Sequence, residues 1–262
     1  MVSLLVGGVA LCGGDVVAGS TRQADLTLRL NVPAFRLDLL QAGVVTAWYP
    51  VAVGEPRYPT PAGEFTLTHI TWNPWWYPPP SDWARKDTVH PPGTANPMGP
   101  VKLQFGGLYF LHGTPLESSI GKAASHGCVR MHDADARALA RVVNRLAGGG
   151  LSEDTLDVIE ADSSLTTTVQ LLEPVPISVV YVTVEIKDAR LYVHRDFYRQ
   201  DRPTEARALM VLDSTGYDTT RVDRPLLARV IRRARARSAS VPVDSLLLPG
   251  SSAVLRSHED VP

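Results

Sequence analysis

From Leu26 onward apolar side chains fall on every second position, with Leu26, Leu28, Leu30 and Val32 alternating against Thr27, Arg29 and Asn31. A period of two fits a half-buried strand and does not fit a helix. Pro33 ends the run, Phe35, Leu37 and Leu39 renew it, and Gln41-Ala42-Gly43 forms the turn of a hairpin whose returning strand is Val44 to Val53. Strands therefore arrive early and in succession. Proline (21) and glycine (20) are plentiful while helix-periodic segments are few, which predicts a loop-rich, mainly β protein.

Alternation resumes from Glu64 to Thr71 and then breaks. The stretch 69–99 holds four of the five tryptophans, namely Trp72, Trp75, Trp76 and Trp83, together with Pro78-Pro79-Pro80 and Pro91-Pro92. So many prolines exclude a regular helix or a central strand, and a structured insertion is predicted. Its rings either line a cleft or form a small core of their own. Val101, Leu103 and Phe105 return to a strand pattern, and Leu108 to Leu111 runs straight into His112, placing that residue at a strand end. One clear helix follows: Asp133 is placed to cap it, Leu139, Val142, Val143 and Leu146 recur at helical spacing, and Gly148 stands at its stop. Further strands are expected over Leu156 to Ile159, Val169 to Leu172, Ile177 to Ile186 and Leu191 to Val193. Beyond Asp201 the pattern is short, charged helical sequence. The arginine-rich run Arg224 to Arg237 reads as the solvated face of a surface helix in preference to a contact with an anionic polymer or membrane. Ser238 to Pro262 reads as a mobile tail.

The length of 262 residues suits one principal domain, expected as a monomer, and a formal net charge of −1 leaves no electrostatic footprint for nucleic acid. The apolar start, Met1 to Ala18, with small residues at Ala18-Gly19-Ser20, is similar to an export signal or a membrane-proximal leader, although a positively charged beginning is missing. Cys12 lies in that leader and Cys128 in the chemistry below, so no disulfide is expected.

Cys128 sits in Ser125-His126-Gly127-Cys128-Val129-Arg130-Met131, a short way after Phe110-Leu111-His112-Gly113-Thr114. A soft nucleophile, two imidazoles, small neighbours and a fixed cation are the parts of a covalent acyl-transfer site. An ordinary thiol titrates near pH 8.5, so an imidazole partner is the economical activator. Spacing favours His126, which shares a face with Cys128 in extended chain, over His112. Gly127 leaves backbone N–H groups open to an oxyanion, and Arg130 can grip a carboxylate with two prongs. Two other readings compete: a buried structural cysteine, and a zinc site drawn from His112, His126, Cys128 and His132. Neither metal nor cofactor is expected.

These two segments resemble the signature of the YkuD-type L,D-transpeptidase catalytic domain. Pro59-Thr60-Pro61-Ala62-Gly63-Glu64-Phe65 and Asn96-Pro97-Met98-Gly99 are similar to further family segments. The resemblance implies a β-sandwich with one supporting helix, a Trp/Pro-rich capping insertion and short C-terminal helices. It divides the chain into a leader over 1–20, a catalytic domain over 21–201 that includes the insertion 69–99, and a helical extension with its tail over 202–262. It implies Cys128 as nucleophile and His112, not His126, as base. Gly113 would orient His112 through its carbonyl, where some members have Ser. Ser125, His126 and Gly127 would shape the oxyanion pocket, and Arg130, Trp75 and Trp76 would meet substrate. The implied partners are peptidoglycan stem peptides, reached after export to the periplasm or cell envelope, with possible membrane association through the N-terminus.

Overall fold

The computed structural model describes residues 26–248; the leader with Cys12 and the tail beyond 248 lie outside the described residues. In chain order the elements are β1 (Leu26–Asn31), β2 (Arg36–Gln41), β3 (Val44–Gly54), β4 (Gly63–Trp72), β5 (Val101–Phe105), β6 (Tyr109–His112), β7 (Ala123–Ser125), β8 (Val129–Met131), α1 (Asp133–Leu146), α2 (Glu153–Ala161), β9 (Thr167–Val180), β10 (Val184–Lys187), β11 (Arg190–Val193), α3 (Glu205–Ser214), α4 (Arg224–Ala234) and β12 (Ala239–Pro242). The hairpin turn between β2 and β3 uses positive φ at both Ala42 (49°) and Gly43 (77°), the twist that matches antiparallel strands.

The main sheet runs β2-β1-β9-β4-β5-β6-β8-β3-β7, and β3 pairs back onto β2. Eight strands thus close a circuit, and the expected sandwich has no free edge along that circuit. Inward side chains such as Leu28, Leu30, Leu67, Ile70, Leu103, Phe105 and Leu111 fill one apolar core. Helix α1 lies against β5 and β6 and buries Ala136, Leu139, Ala140 and Val143 on that side. It is not the only helix here. The segment expected as a strand over Leu156 to Ile159 is α2, capped by the Ser152 side chain, which accepts from Thr155 N–H. Leu156 and Ile159 share its buried face at helical spacing. Arg141 of α1 binds Glu153, Asp157 and Glu160 across the outside at 2.7, 2.7 and 3.0 Å, a ladder of acids that helical spacing puts on one face.

A second correction concerns the C-terminal part. The expected strand Ile177 to Ile186 is cut in two: β9 stops at Val180, the Thr183 N–H and hydroxyl donate to Asp201, and β10 starts a separate three-stranded sheet, β10-β11-β12. Helices α3 and α4 cover it around their own core of Val184, Leu191, Val193, Leu212, Leu227, Ile231, Val243 and Leu246. The second unit therefore begins near 184, not at 202. Residues 239–246 are not tail, because β12 completes its sheet and Val243 and Leu246 are fully buried in it.

Polar and aromatic groups weld the two units. Asn31 exchanges hydrogen bonds with Val182 and donates to Glu185, Lys187 reaches buried Asp38 at 2.7 Å, and Phe35 stacks on Phe197 at 5.1 Å. Burial raises the pKa of Glu185, but the His194 hydrogen bond and the charges of His194, Lys187 and Arg29 outweigh it and bring the carboxyl down to about 2. A depressed carboxyl stabilises the fold above its unfolded-state pKa, and that contribution is lost as pH falls through about 2. Glu185→Gln is expected to cost about 2–3 kcal/mol in urea denaturation at pH 7. Equal stability of variant and wild type at pH 7 would contradict the junction described.

Candidate active site

The site is built by the parallel pairing of β6 with β8, which sets Leu111 beside Val129 and His112 beside Arg130. On the other flank β5 sets Lys102 opposite His112. Paired residues share a face, so Lys102, His112 and Arg130 form one row across three strands. Cys128 lies two residues before Arg130, on the same face and one step along. The fold thus brings His112, distant in sequence, to the cavity that the thiol also lines. His126 lines the same cavity but is exposed and stacks flat on Trp83, ring centroids 4.0 Å apart.

His112 is almost fully buried, and its Nδ1 donates to the Gly113 carbonyl at 2.6 Å. A carbonyl only accepts, so Nδ1 carries the proton and Nε2 keeps a free lone pair. The turn that aims this carbonyl is held from behind. Asp133 was expected to cap α1, but His132 occupies the cap position and Asp133 accepts from Thr114 N–H at 2.8 Å instead. Gly113 has no room for a side chain: a Cβ would stand 2.3 Å from Asp133 Oδ1 and 2.7 Å from Pro100 Cδ. The serine that some relatives are expected to carry there does not fit this chain.

The turn bearing Cys128 is clamped just as closely. Ser125 Oγ donates to the Cys128 carbonyl and accepts from Gly127 N–H. Thr60 Oγ1 donates to the Gly127 carbonyl and accepts from Gly54 N–H, both at 2.9 Å, while Tyr198 hydroxyl accepts from Thr60 N–H and donates to the Gly54 carbonyl. Gly127 has a φ of +111°, which a side chain resists. Its N–H is committed to Ser125, so it is not an open oxyanion donor as the sequence suggested.

Burial governs the charges. It pushes the Cys128 thiol above its ordinary value, opposed by a backbone hydrogen bond from Phe110 and by the cations Arg130 and Lys102. Burial likewise lowers His112 to about 4, the Gly113 hydrogen bond acting against it and Arg130 and Lys102 with it. At neutral pH the resting pair is thiol and neutral imidazole.

The insertion, expected over 69–99, begins after β4 and spans 73–100, because His69 to Trp72 are strand. Buried Asn96 organises it, donating to the carbonyls of Pro74, His90 and Pro91 and accepting from Met98 N–H. Its tryptophans are not a separate core. Trp76 and Trp83 join His112, Ser125, His126, Cys128 and Arg130 around a cavity of about 100 Å³, and Trp75 stands with Tyr77 along an adjoining groove of about 540 Å³ that also reaches Cys128 and Lys102. Among the described residues no three His, Cys, Asp or Glu side chains are placed to hold a metal, so the zinc arrangement is not assembled. Sequence reasoning missed Lys102, Thr60, Tyr198 and the true work of Asp133. Thr60 lies in a motif already singled out, whereas the position of Lys102 beside His112 depends on strand register alone.

Residues 26–177 match the family model YkuD, L,D-transpeptidase catalytic domain, and the chain belongs to that family. Among curated relatives, the putative L,D-transpeptidase YqjB of Bacillus subtilis is 36% identical over 111 residues, covering 40% of this chain and 56% of that protein. The putative L,D-transpeptidase YkuD of Bacillus licheniformis is 29% identical over 143 residues, covering 53% and 74%. An L,D-transpeptidase structure from Mycobacterium smegmatis matches with a TM-score of 0.39 at 16% identity, covering 60% of this chain and 59% of that one. The family match ends at 177, so the unit formed by β10–β12, α3 and α4 lies beyond it.

Gly113→Ala is expected to displace Asp133 or the turn, lowering stability by about 1–3 kcal/mol and slowing any His112-dependent reaction. Denaturation together with a thiol acylation rate measures both, and a variant indistinguishable from wild type would show that the turn is not packed as described.

Proposed function

We propose that this chain is an envelope L,D-transpeptidase that uses Cys128 to cleave the L-to-D bond of a peptidoglycan tetrapeptide stem and pass the acyl group to an amine. The observation that carries the reading is that Cys128, just before β8, and His112, at the end of the parallel β6, line one cavity, with Nδ1 of His112 tied to Gly113 and Nε2 left as a base.

The resting thiol donates weakly to the Leu108 carbonyl at 3.7 Å. On substrate binding Nε2 takes that proton and the thiolate attacks the carbonyl of the third residue. Arg130 and Lys102, neither of which forms an ion pair with a carboxylate among the described residues, favour the thiolate and offer a grip for a stem carboxylate. With Gly127 N–H committed, the N–H of Cys128 itself serves the oxyanion. Collapse of the tetrahedral intermediate breaks the C–N bond, the imidazolium returns its proton to the departing D-alanine amine, and a thioester remains. An amine on a second stem then attacks, losing its proton to His112, and the product is a 3-3 cross-link with Cys128 restored. Water in place of the amine makes the same thioester an L,D-carboxypeptidase intermediate. A non-catalytic wall binder is the weaker reading, since it has no need of an oriented imidazole beside a thiol. Trp76, Trp83 and the groove past Trp75 offer aromatic walls for the peptide. Export to the periplasm or cell envelope accompanies this reading because the substrate is there.

Incubation with a carbapenem tests the nucleophile: wild type is expected to gain one drug mass and Cys128→Ala none. Because burial depresses His112 to about 4, the base stays neutral above that pH and is lost only as pH falls through it. The acylation rate should therefore show no acid limb near 6.5. An unmodified wild type, or a limb at the ordinary imidazole value, would contradict the assignment.

A further inference from the structure

A second cavity, of about 550 Å³, opens where the two units meet, on the side of the molecule described by Phe35, Lys122, Arg195, Phe197, Arg237 and Ser238. Three cations line it and no carboxylate does. They come from three separate places: Lys122 from the turn just before β7, Arg195 from the loop after β11, and Arg237 from the segment between α4 and β12. All three are exposed, and none takes part in an ion pair among the described residues, whereas elsewhere arginines such as Arg36, Arg141 and Arg224 are paired with acids. The cavity is fixed in shape. The Phe35–Phe197 stack forms one wall at 5.1 Å, and Ser238 Oγ accepts from Arg195 N–H at 3.2 Å, which locks the arginine loop to the end of α4.

The arginines of α4 continue this field. Arg229, Arg232 and Arg233 are exposed, and Arg235 follows directly, so an unbalanced positive face leads along the helix into the cavity. Basic residues in a last turn complement the helix dipole, which accounts for Arg232 and Arg233. It does not account for Lys122 and Arg195, which belong to other elements and converge on the same concavity.

We propose that this cavity and the α4 face together bind a linear polyanion carrying regularly spaced phosphate groups, one phosphate seated among Lys122, Arg195 and Arg237 and the chain running along the arginines of α4. A polymer is favoured over a lipid bilayer because the large apolar side chains of α4, Leu227, Val230 and Ile231, are buried in the core of the second unit, Leu226 packs against it, and only the small Pro225 and Ala228 are left exposed among the arginines. The inference is independent of the chemistry at Cys128. Such contact would hold the catalytic unit near an anionic wall polymer, with Lys122 directly preceding the strand that leads to Ser125 and Cys128.

The test uses the full chain and long-chain inorganic polyphosphate, with affinity measured over a range of salt. Wild type is expected to bind with steep salt dependence. The triple variant Lys122→Gln, Arg195→Gln, Arg237→Gln should bind at least about tenfold more weakly, and its log–log salt slope should fall by about one, at about 0.7–0.9 per phosphate contact by analogy with nucleic acids. Arg224→Gln, whose arginine is held by Glu205 at 2.8 Å, should bind as wild type does. Thermal melting checks that the triple variant is folded; if it is not, the three single variants replace it, each expected to weaken binding and to lower the slope by no more than about one. Absence of polyphosphate binding at physiological salt would overturn the proposal. So would a folded triple variant with undiminished affinity, a site saturated equally well by orthophosphate, or tighter binding to phosphatidylglycerol vesicles than to polyphosphate.

Discussion

The hydrogen bond from His112 Nδ1 to the carbonyl of its own neighbour, Gly113, is the constraint on which the site depends. A bond between adjacent residues forms only if the chain turns sharply at that point, and the turn stands because Thr114 N–H is held by Asp133 at the start of α1. Helix α1 in turn is anchored by Ala136, Leu139 and Val143 in the core beneath β5 and β6. The imidazole is therefore oriented by a chain of contacts that runs from its own ring to the hydrophobic core. The thiol has the same kind of support through Ser125, Thr60 and Tyr198, so both reacting groups stand on rigid scaffolding contributed by different parts of the sequence.

Rigid burial has a chemical consequence. Removing water from Cys128 and His112 disfavours charge on either, so the resting site is neutral even though the reaction needs a thiolate. Lys102 and Arg130 flank His112 in the same row and act in opposite senses on the pair, discouraging imidazolium while encouraging thiolate. On the proposed mechanism, proton transfer is deferred until substrate arrives.

Much of this was legible in the sequence. Alternation at Leu26 to Val32 and at Val101 to Phe105 places strands where they occur, because inward side chains at every second residue are needed to fill the core. The helix over Leu139 to Leu146 is visible for the equivalent reason at a period near 3.6. What failed has a physical cause. Leu156 to Ile159 is too short a run to separate helix from strand; in the fold both residues bury one face of a helix capped by Ser152, with the acids that meet Arg141 on its outside. Val243 and Leu246 sit in polar surroundings that look like tail, and only the pairing of β12 with β11 buries them. At the site, local spacing pointed to His126 and family resemblance to His112; strand register brings His112 to the thiol's face and leaves His126 stacked on Trp83. Lys102 could not be found locally, since its place beside His112 exists only once β5 and β6 pair.

Incubation of the purified protein with tetrapeptide-bearing muropeptides, followed by product analysis, tests the central claim most directly. Wild type is predicted to release D-alanine and form 3-3 linked dimers, and Cys128→Ala to do neither. Substrate retained by wild type without release of D-alanine, or D-alanine released at an undiminished rate by Cys128→Ala, would contradict it.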